Sequence, residues 1–395
     1  MDFTIDTREH RAAIDTAADA LPRREGILPA LTLVQIEARD DGVVTYRGTD
    51  LDFSIEVEIK GEVTIPGSTC LPGRQLAEIA RASDPASRTR LHLAEAAGAI
   101  DAGNSRFRLA AAAADDYVGG PASLPPGTNE ATVPSDVLGA MAARVAWLTA
   151  KEEGRGILCG VLLETTATSL RMVATNGRQV GICEAPVAGL PDGVRCTVPP
   201  QLLAAAERHF KGRGPVTVLF GDTTVSFRVA GLTLTGRTLA GQYPDYARIL
   251  PRAPGAVVQV PTATLAQAVR RTATLARTQP NKAVILRAEN RSLRLWTNSP
   301  DVGSAHDQVE ATILGDPVTL AFNAAMMADV LDVVSAEEVR IRLHGPRSGI
   351  LLDGRGDDPI RSLWLVMPVS LESLDCTEPV AVAEIVEPAP LAAAA

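Results

Sequence analysis

The feature that most constrains this chain is a threefold internal repeat with a period of about 120 residues. Each copy opens with a helical stretch, enters a short apolar strand, and continues into a second strand that ends in Thr followed by Asp or Asn. In the first copy the strands are ILPALTLVQIEA and GVVTYRGTD, ending at Thr49 and Asp50. In the second they are GILCGVLLET and SLRMVATN, ending at Thr175 and Asn176; in the third, KAVILRAE and SLRLWTN, ending at Thr297 and Asn298. The threonines stand 126 and 122 residues apart. SLRMVATN and SLRLWTN are close copies, while the first repeat has drifted further. A chain of 395 residues is too long for one ordinary core, so three domains of similar build follow.

Within each copy the pattern goes on with alternating strands, such as DLDFSIEVEI, whose period of two marks a half-buried strand. The first helices are expected at 7–21, 134–152 and 261–277, and the second at 72–83, 199–210 and 323–334. Pro or Asn stands near every one of these starts except that at residue 7, as at helix amino termini generally. Each repeat therefore reads as an α+β unit, two helices packed on antiparallel strands. The Gly- and Pro-rich stretches 114–131 and 241–256 separate the copies, giving domains at 1–122, 130–250 and 255–371. The remainder, 372–395, has the Pro, Ala and Glu composition of a disordered acidic tail.

Composition narrows the function. With 46% hydrophobic and 22% charged residues the chain is globular, and no apolar run has the length of a membrane helix. The start, MDFTIDTREHRAA, lacks the layout of a secretory signal, so a cytoplasmic protein is expected. Cys70, Cys159, Cys183, Cys196 and Cys376 are odd in number and scattered, which suggests buried small hydrophobes and not a disulfide framework or zinc site. A net charge of −9 argues against coating nucleic acid over the whole surface but allows a locally basic face. His10, His92, His209, His306 and His344 have no metal-ligand spacing, and no nucleophile elbow or phosphate-binding loop is present. Asp115 and Asp116 read as a solvated turn. No catalytic residue, metal or cofactor is expected.

Five segments carry a more specific signal: NSRFRLA (104–110), ATNGRQVGICEAPV (174–187), YPDYARILP (243–251), LAFNAAMMADVLDVV (320–334) and WLVMPVSL (364–371). In this order on a threefold repeat they closely resemble the bacterial beta sliding clamp family, the beta subunit of DNA polymerase III, over residues 1 to 371. The resemblance implies a non-catalytic processivity factor: a head-to-tail homodimer whose six domains close a ring, helices lining the hole. It places Phe107 and Leu109 on one side of the joint and Thr274 and Leu275 on the other; that Phe107 and Leu109 are instead core residues stays open here. The helices are rich in Lys and Arg, and the resemblance marks Arg24, Arg74, Lys151, Arg155, Arg208, Arg270 and Arg271 for duplex DNA held without sequence preference. A solvated helix face is the alternative for each of them. The second helix of the third domain departs from the pattern, carrying Asp329 and Asp332 and no basic residue.

The resemblance further implies an apolar cleft for short peptides of the replicative polymerase, the clamp-loader ATPase, repair polymerases and mismatch-repair proteins. Its matching positions are Leu158, Thr175, Gly177, Arg178, Gln179, Val180, Pro244, Ile249, Leu365, Met367, Pro368, Val369 and Leu371. Met and Val walls suit varied peptide anchors. Where clamps often carry a basic residue and Leu, this chain has Gln179 and Val180, so a less positive rim is expected. The tail begins beside this cleft. Cytoplasmic, nucleoid-associated action follows from the resemblance. Two alternatives remain: a clamp paralogue serving repair, plasmid or phage replication, or inhibitor resistance, and a repeat-built protein scaffold that does not bind DNA.

Overall fold

The computed structural model describes residues 1–22, 28–94, 97–125, 129–279 and 281–379. They form two compact units, one of 1–174 with 184–243, the other of 175–183 with the residues from 244 on.

Among the described residues there are six α-helices: α1 (Thr7–Ala18), α2 (Gly73–Ala82), α3 (Ser135–Val145), α4 (Pro200–Phe210), α5 (Thr262–Ala276) and α6 (Ala324–Val333). They pack in pairs within each repeat, α1 on α2, α3 on α4 and α5 on α6. Two of the starts are capped by side chains. Asp6 accepts from the amides of Arg8 and Glu9, and Asn323 from those of Ala325 and Met326, satisfying donors the first turn leaves open. The other four follow a proline, Pro72, Pro134, Pro199 or Pro261.

In the first unit a five-stranded sheet runs in the order 62–65, 2–6, 88–94, 97–102 and 105–110, with Ser105–Ala110 as an edge. An eight-stranded sheet joins the first two repeats, because Leu232–Arg237 of the second pairs with Phe53–Lys60 of the first. Helix α1 lies against strands 43–49 and 53–60. Gly48 makes that approach possible, since a Cβ there would stand 2.1 Å from the Ala17 carbonyl oxygen. Three further strands, 195–198, 161–166 and 169–175, belong to the second repeat.

The second unit holds the start of strand Gln179–Pro186 beside 361–366, 350–355, 338–343, 256–261 and 312–315. Its smaller sheet runs 303–310, 292–299, 283–289, 318–323 and 368–369, again with an edge strand, Gly303–Glu310, at one end. Helix α5 covers one face of this sheet.

Several expectations need correction. The helix read at 134–152 stops at Val145 and passes into a 3-10 turn, Ala146–Leu148. There the Trp147 indole donates to the Arg144 carbonyl and the Thr149 hydroxyl to that of Ala146, so side chains take acceptors a longer helix would need. The strand read from Gly156 begins only at Val161, after a 3-10 segment in which Gly156 has φ 54°. The first-copy strand likewise begins at Leu33, behind a 3-10 turn at Pro29–Thr32. Cys70 and Cys183 are buried, but Cys159 and Cys196 are half-buried and Cys376 is exposed. Finally, residues 372–379, read as part of a disordered tail, make defined contacts, because Leu374 and the Glu378 carboxylate find partners on the small sheet and Asn298 donates to carbonyls of this segment. Residues 380–395 lie outside the described residues.

Candidate functional site

The repeat signature, Thr followed by Asp or Asn, is a turn. The Thr175 hydroxyl donates to the Gln179 carbonyl (2.6 Å) and accepts from the Gly177 amide (3.1 Å). The Asn176 side-chain oxygen accepts from the amides of Arg178 and Gln179, both at 2.9 Å. Gly177 completes the turn with φ 85°. In the first copy Thr49 bonds the Phe53 carbonyl and the Leu51 amide, and Asp50 the amides of Asp52 and Phe53. The same four bonds explain why these residue types recur. The third copy differs: Thr297 donates to Ala283, and the Asn298 amide reaches the carbonyls of Asp375 and Thr377.

In the second copy this turn anchors part of the expected cleft. The Met367 amide donates to the Arg178 carbonyl (2.9 Å), tying the end of strand 361–366 to the turn. Gln179 donates to the Met326 carbonyl of α6 (3.0 Å) and accepts from the Asn176 amide (3.1 Å). Gln179 and Val180 are each 3% exposed, so they do not form the rim whose charge they were expected to set. Gln179 positions the turn instead, and Arg178 is the exposed cation there. Met367 and Ile249 are exposed apolar residues, at 41% and 52%, with Pro244 exposed and Pro368 half-buried. Leu365 is buried. Val369 and Leu371 turn to the cluster of Ile285, Trp296 and Ala321 on the small sheet. Leu158, in the other unit, is half-buried, and its carbonyl accepts from Ala150.

The expected DNA contacts divide between the units. Arg74, Lys151 and Arg208 line one cavity of the first unit, about 690 Å³, between the ends of α1, α2, α3 and α4. Trp147 lines it too, a residue sequence reasoning had not singled out. Arg74 donates to the Pro22 carbonyl. Arg208 donates to Asp19 (2.6 Å), and His209 shares the same oxygen (2.9 Å). The His209 hydrogen bond, with Arg208 beside it, holds the Asp19 carboxyl below its usual range against the opposing effect of burial. Arg155 is exposed, 3.7 Å from Glu152. In the second unit Arg270 pairs with Asp332, and Arg271 with Asp307 at 2.6 Å. Arg270 also lines a cavity of about 230 Å³ with Arg277 and Lys282. Arg24 lies outside the described residues. The helix cations are thus tempered by acids on neighbouring helices and strands. Asp15, for instance, faces both Arg11 and Arg81.

Phe107 and Leu109 sit on the edge strand Ser105–Ala110 and are only half-buried, which removes the reading of them as core. Thr274 is exposed and Leu275 half-buried near the end of α5.

Models of the N-terminal, central and C-terminal domains of the DNA polymerase III beta subunit match residues 1–120, 132–245 and 247–370. This chain belongs to the DNA polymerase III beta subunit family. The function that goes with the family is that of the sliding clamp, a processivity factor in DNA replication. The beta sliding clamp of Pseudomonas aeruginosa is 28% identical over 381 residues, 94% of this chain and all of the relative. That of Escherichia coli K12 is 25% identical over 379 residues, with the same coverage. Among solved structures, the Bacillus subtilis sliding clamp superposes with a TM-score of 0.87 at 26% identity, covering 93% of this chain and 99% of its own. A P. aeruginosa clamp bound to griselimycin gives 0.86 at 26% identity, covering 94% and 100%. The C-terminal model of the beta subunit stops at 370, so the contacts of 372–379 lie beyond it.

Proposed function

We propose that two copies of this chain close head to tail into a ring around duplex DNA and tether the replicative polymerase to it, without catalysis of their own. The observation that carries this reading is the ordered match of three successive beta-subunit domains, at 1–120, 132–245 and 247–370, onto a threefold repeat. The joint forms between the edge strand holding Phe107 and Leu109 and the third-domain edge beside Thr274 and Leu275, since pairing two open edges removes both from solvent. Arg74, Lys151, Arg155, Arg208, Arg270 and Arg271 contact the phosphates. Carboxylates already hold Arg208, Arg270 and Arg271, so a phosphate competes with them and the hold on DNA stays weak enough to slide. The peptide cleft uses Pro244, Ile249, Met367 and Pro368 as apolar walls beside the Thr175–Val180 turn. Its ligands are peptides of the polymerase, a clamp-loader ATPase that opens the ring, and repair and mismatch-repair proteins, acting in the cytoplasm at the nucleoid.

Primer extension on a primed single-stranded circle tests this. With loader and ATP, adding the chain lengthens the products made per binding event; products of unchanged length contradict the reading. The segment beyond residue 370 favours a second reading, a clamp paralogue with a specialised role, and failure to replace an essential clamp in cells would support it.

A further inference from the structure

The small sheet of the second unit has one face covered by α5 and another that the segment after Val369 crosses. In register on its five strands stand His306, Trp296, Ile285, Ala321 and Val369. Side chains alternate along a strand, so these residues share a face with Arg294 and Asn298. Asp307, which bonds Arg271 of α5, belongs to the opposite one. From Val369, at one edge, the chain lays Leu371 and Leu374 on Trp296, Ile285 and Ala321, all three nearly inaccessible to solvent. Asn298, released from the turn its counterpart makes in the second repeat, donates to the carbonyls of Asp375 (3.1 Å) and Thr377 (2.7 Å). At the far edge Arg294 donates to both oxygens of Glu378, each at 3.0 Å, and His306 of the edge strand lies 3.2 Å from one of them. Four interstrand spacings amount to about 19 Å, well within the reach of nine extended residues, about 30 Å. Leu371–Glu378 is therefore a strap across the whole sheet.

The strap ends where the proposed joint begins. On the first-domain edge strand, Phe107 opposes the buried Ile100, while Arg106 and Arg108 oppose Asp101 and Ala99 on the alternate face. Asp101 takes Arg106 at 2.7 Å, and Arg108 is exposed. Joining the two edges with their helices on one side brings this cationic face beside that of His306. There Arg287 and Arg294 share Glu289 and Arg291 lies 3.7 Å from Glu310, so without Glu378 three guanidinium groups and two carboxylates would meet an edge already rich in arginine. We propose, resting on the ring reading above, that the strap is part of the joint: its Glu378 carboxylate cancels this surplus and faces the partner subunit's Arg108. The segment after 370 thus serves subunit association, and its ligand is a second copy of the chain.

Sedimentation equilibrium of the full chain and its variants tests the strap. Deleting 380–395 leaves the dimer dissociation constant unchanged. Deleting 372–395 or introducing Glu378→Lys raises it about tenfold, less so at high salt. Glu378→Gln, which keeps the leucine packing, moves it the same way by a smaller factor. Arg108→Glu in the Glu378→Lys background recovers part of the loss, which a purely structural strap would not allow. A wild-type dimer whose dissociation constant is indifferent to Glu378→Lys and to deletion of 372–395 overturns the strap and leaves the ring intact. A wild-type chain that stays monomeric overturns both.

Discussion

A single buried histidine makes the fold of the first repeat sensitive to acid. His10 is 1% exposed, and its Nδ1 shares a 2.8 Å hydrogen bond with the Tyr46 hydroxyl. Burial lowers its pKa from 6.5 to about 4. Between those values the unfolded chain binds a proton that the folded chain refuses, so stability present above pH 6.5 is lost as pH falls toward 4. The full loss is about 3 kcal/mol. Asp19, held low by His209 and Arg208, shifts stability in the same direction only as pH falls past its ordinary value of 3.8, below the His10 window. Urea unfolding at pH 7.5 and 5.0 should show a smaller drop in His10→Gln than in the wild type; equal drops would remove His10 as the cause. Gln179 is a second residue whose role its neighbours in sequence conceal. Its amide is bonded to a carbonyl 147 residues away, so nothing local marked it as buried. Gln179→Ala leaves the Met326 carbonyl and the Asn176 amide short of a partner, and thermal unfolding should register a loss of about 1–2 kcal/mol. The Thr and Asx residues were legible because their bonds close within four residues, and the repeat displays them more than once.

At the scale of elements, the strongest constraint is the seat of α1 on its sheet. Gly48→Ala puts a methyl group into the Ala17 carbonyl, which a helix can relieve only by lifting away, and should cost about 2 kcal/mol or more. A Gly48→Ala chain that melts with the wild type would show that the helix is free to shift. Helices were readable from their apolar spacing and proline starts, to within a residue or two at most ends. The end of α3 was not, since the turn at 146–148 depends on which carbonyls Trp147 and Thr149 reach. The strap was missed for a related reason. Leu371, Leu374 and Glu378 lie in a stretch dominated by Pro, Ala and acids, and only the opposite face of a distant sheet gives them partners. Of the cleft, Met367 and Ile249 are the large exposed apolar side chains, so Met367→Ala should weaken binding of a polymerase-derived peptide about tenfold with little change in melting temperature. Unchanged affinity would remove Met367 from the cleft.

For the whole molecule, the threefold repeat fixed the domain count because a period is visible in one dimension. The eight-stranded sheet that unites the first two repeats was not visible, since Leu232–Arg237 meets Phe53–Lys60 across nearly two hundred residues. Charge shows the same limit. Arginines on helices were easy to find, but their pairing with Asp19, Asp307 and Asp332 needed the fold. That pairing predicts a molecule held on DNA by topology more than by attraction. The most direct test loads the protein onto a nicked circular duplex with a clamp loader and ATP, removes the free protein, and measures retention before and after the circle is cut once. Retention on the circle and rapid loss from the linear form is the predicted result; equal retention on both forms would contradict it.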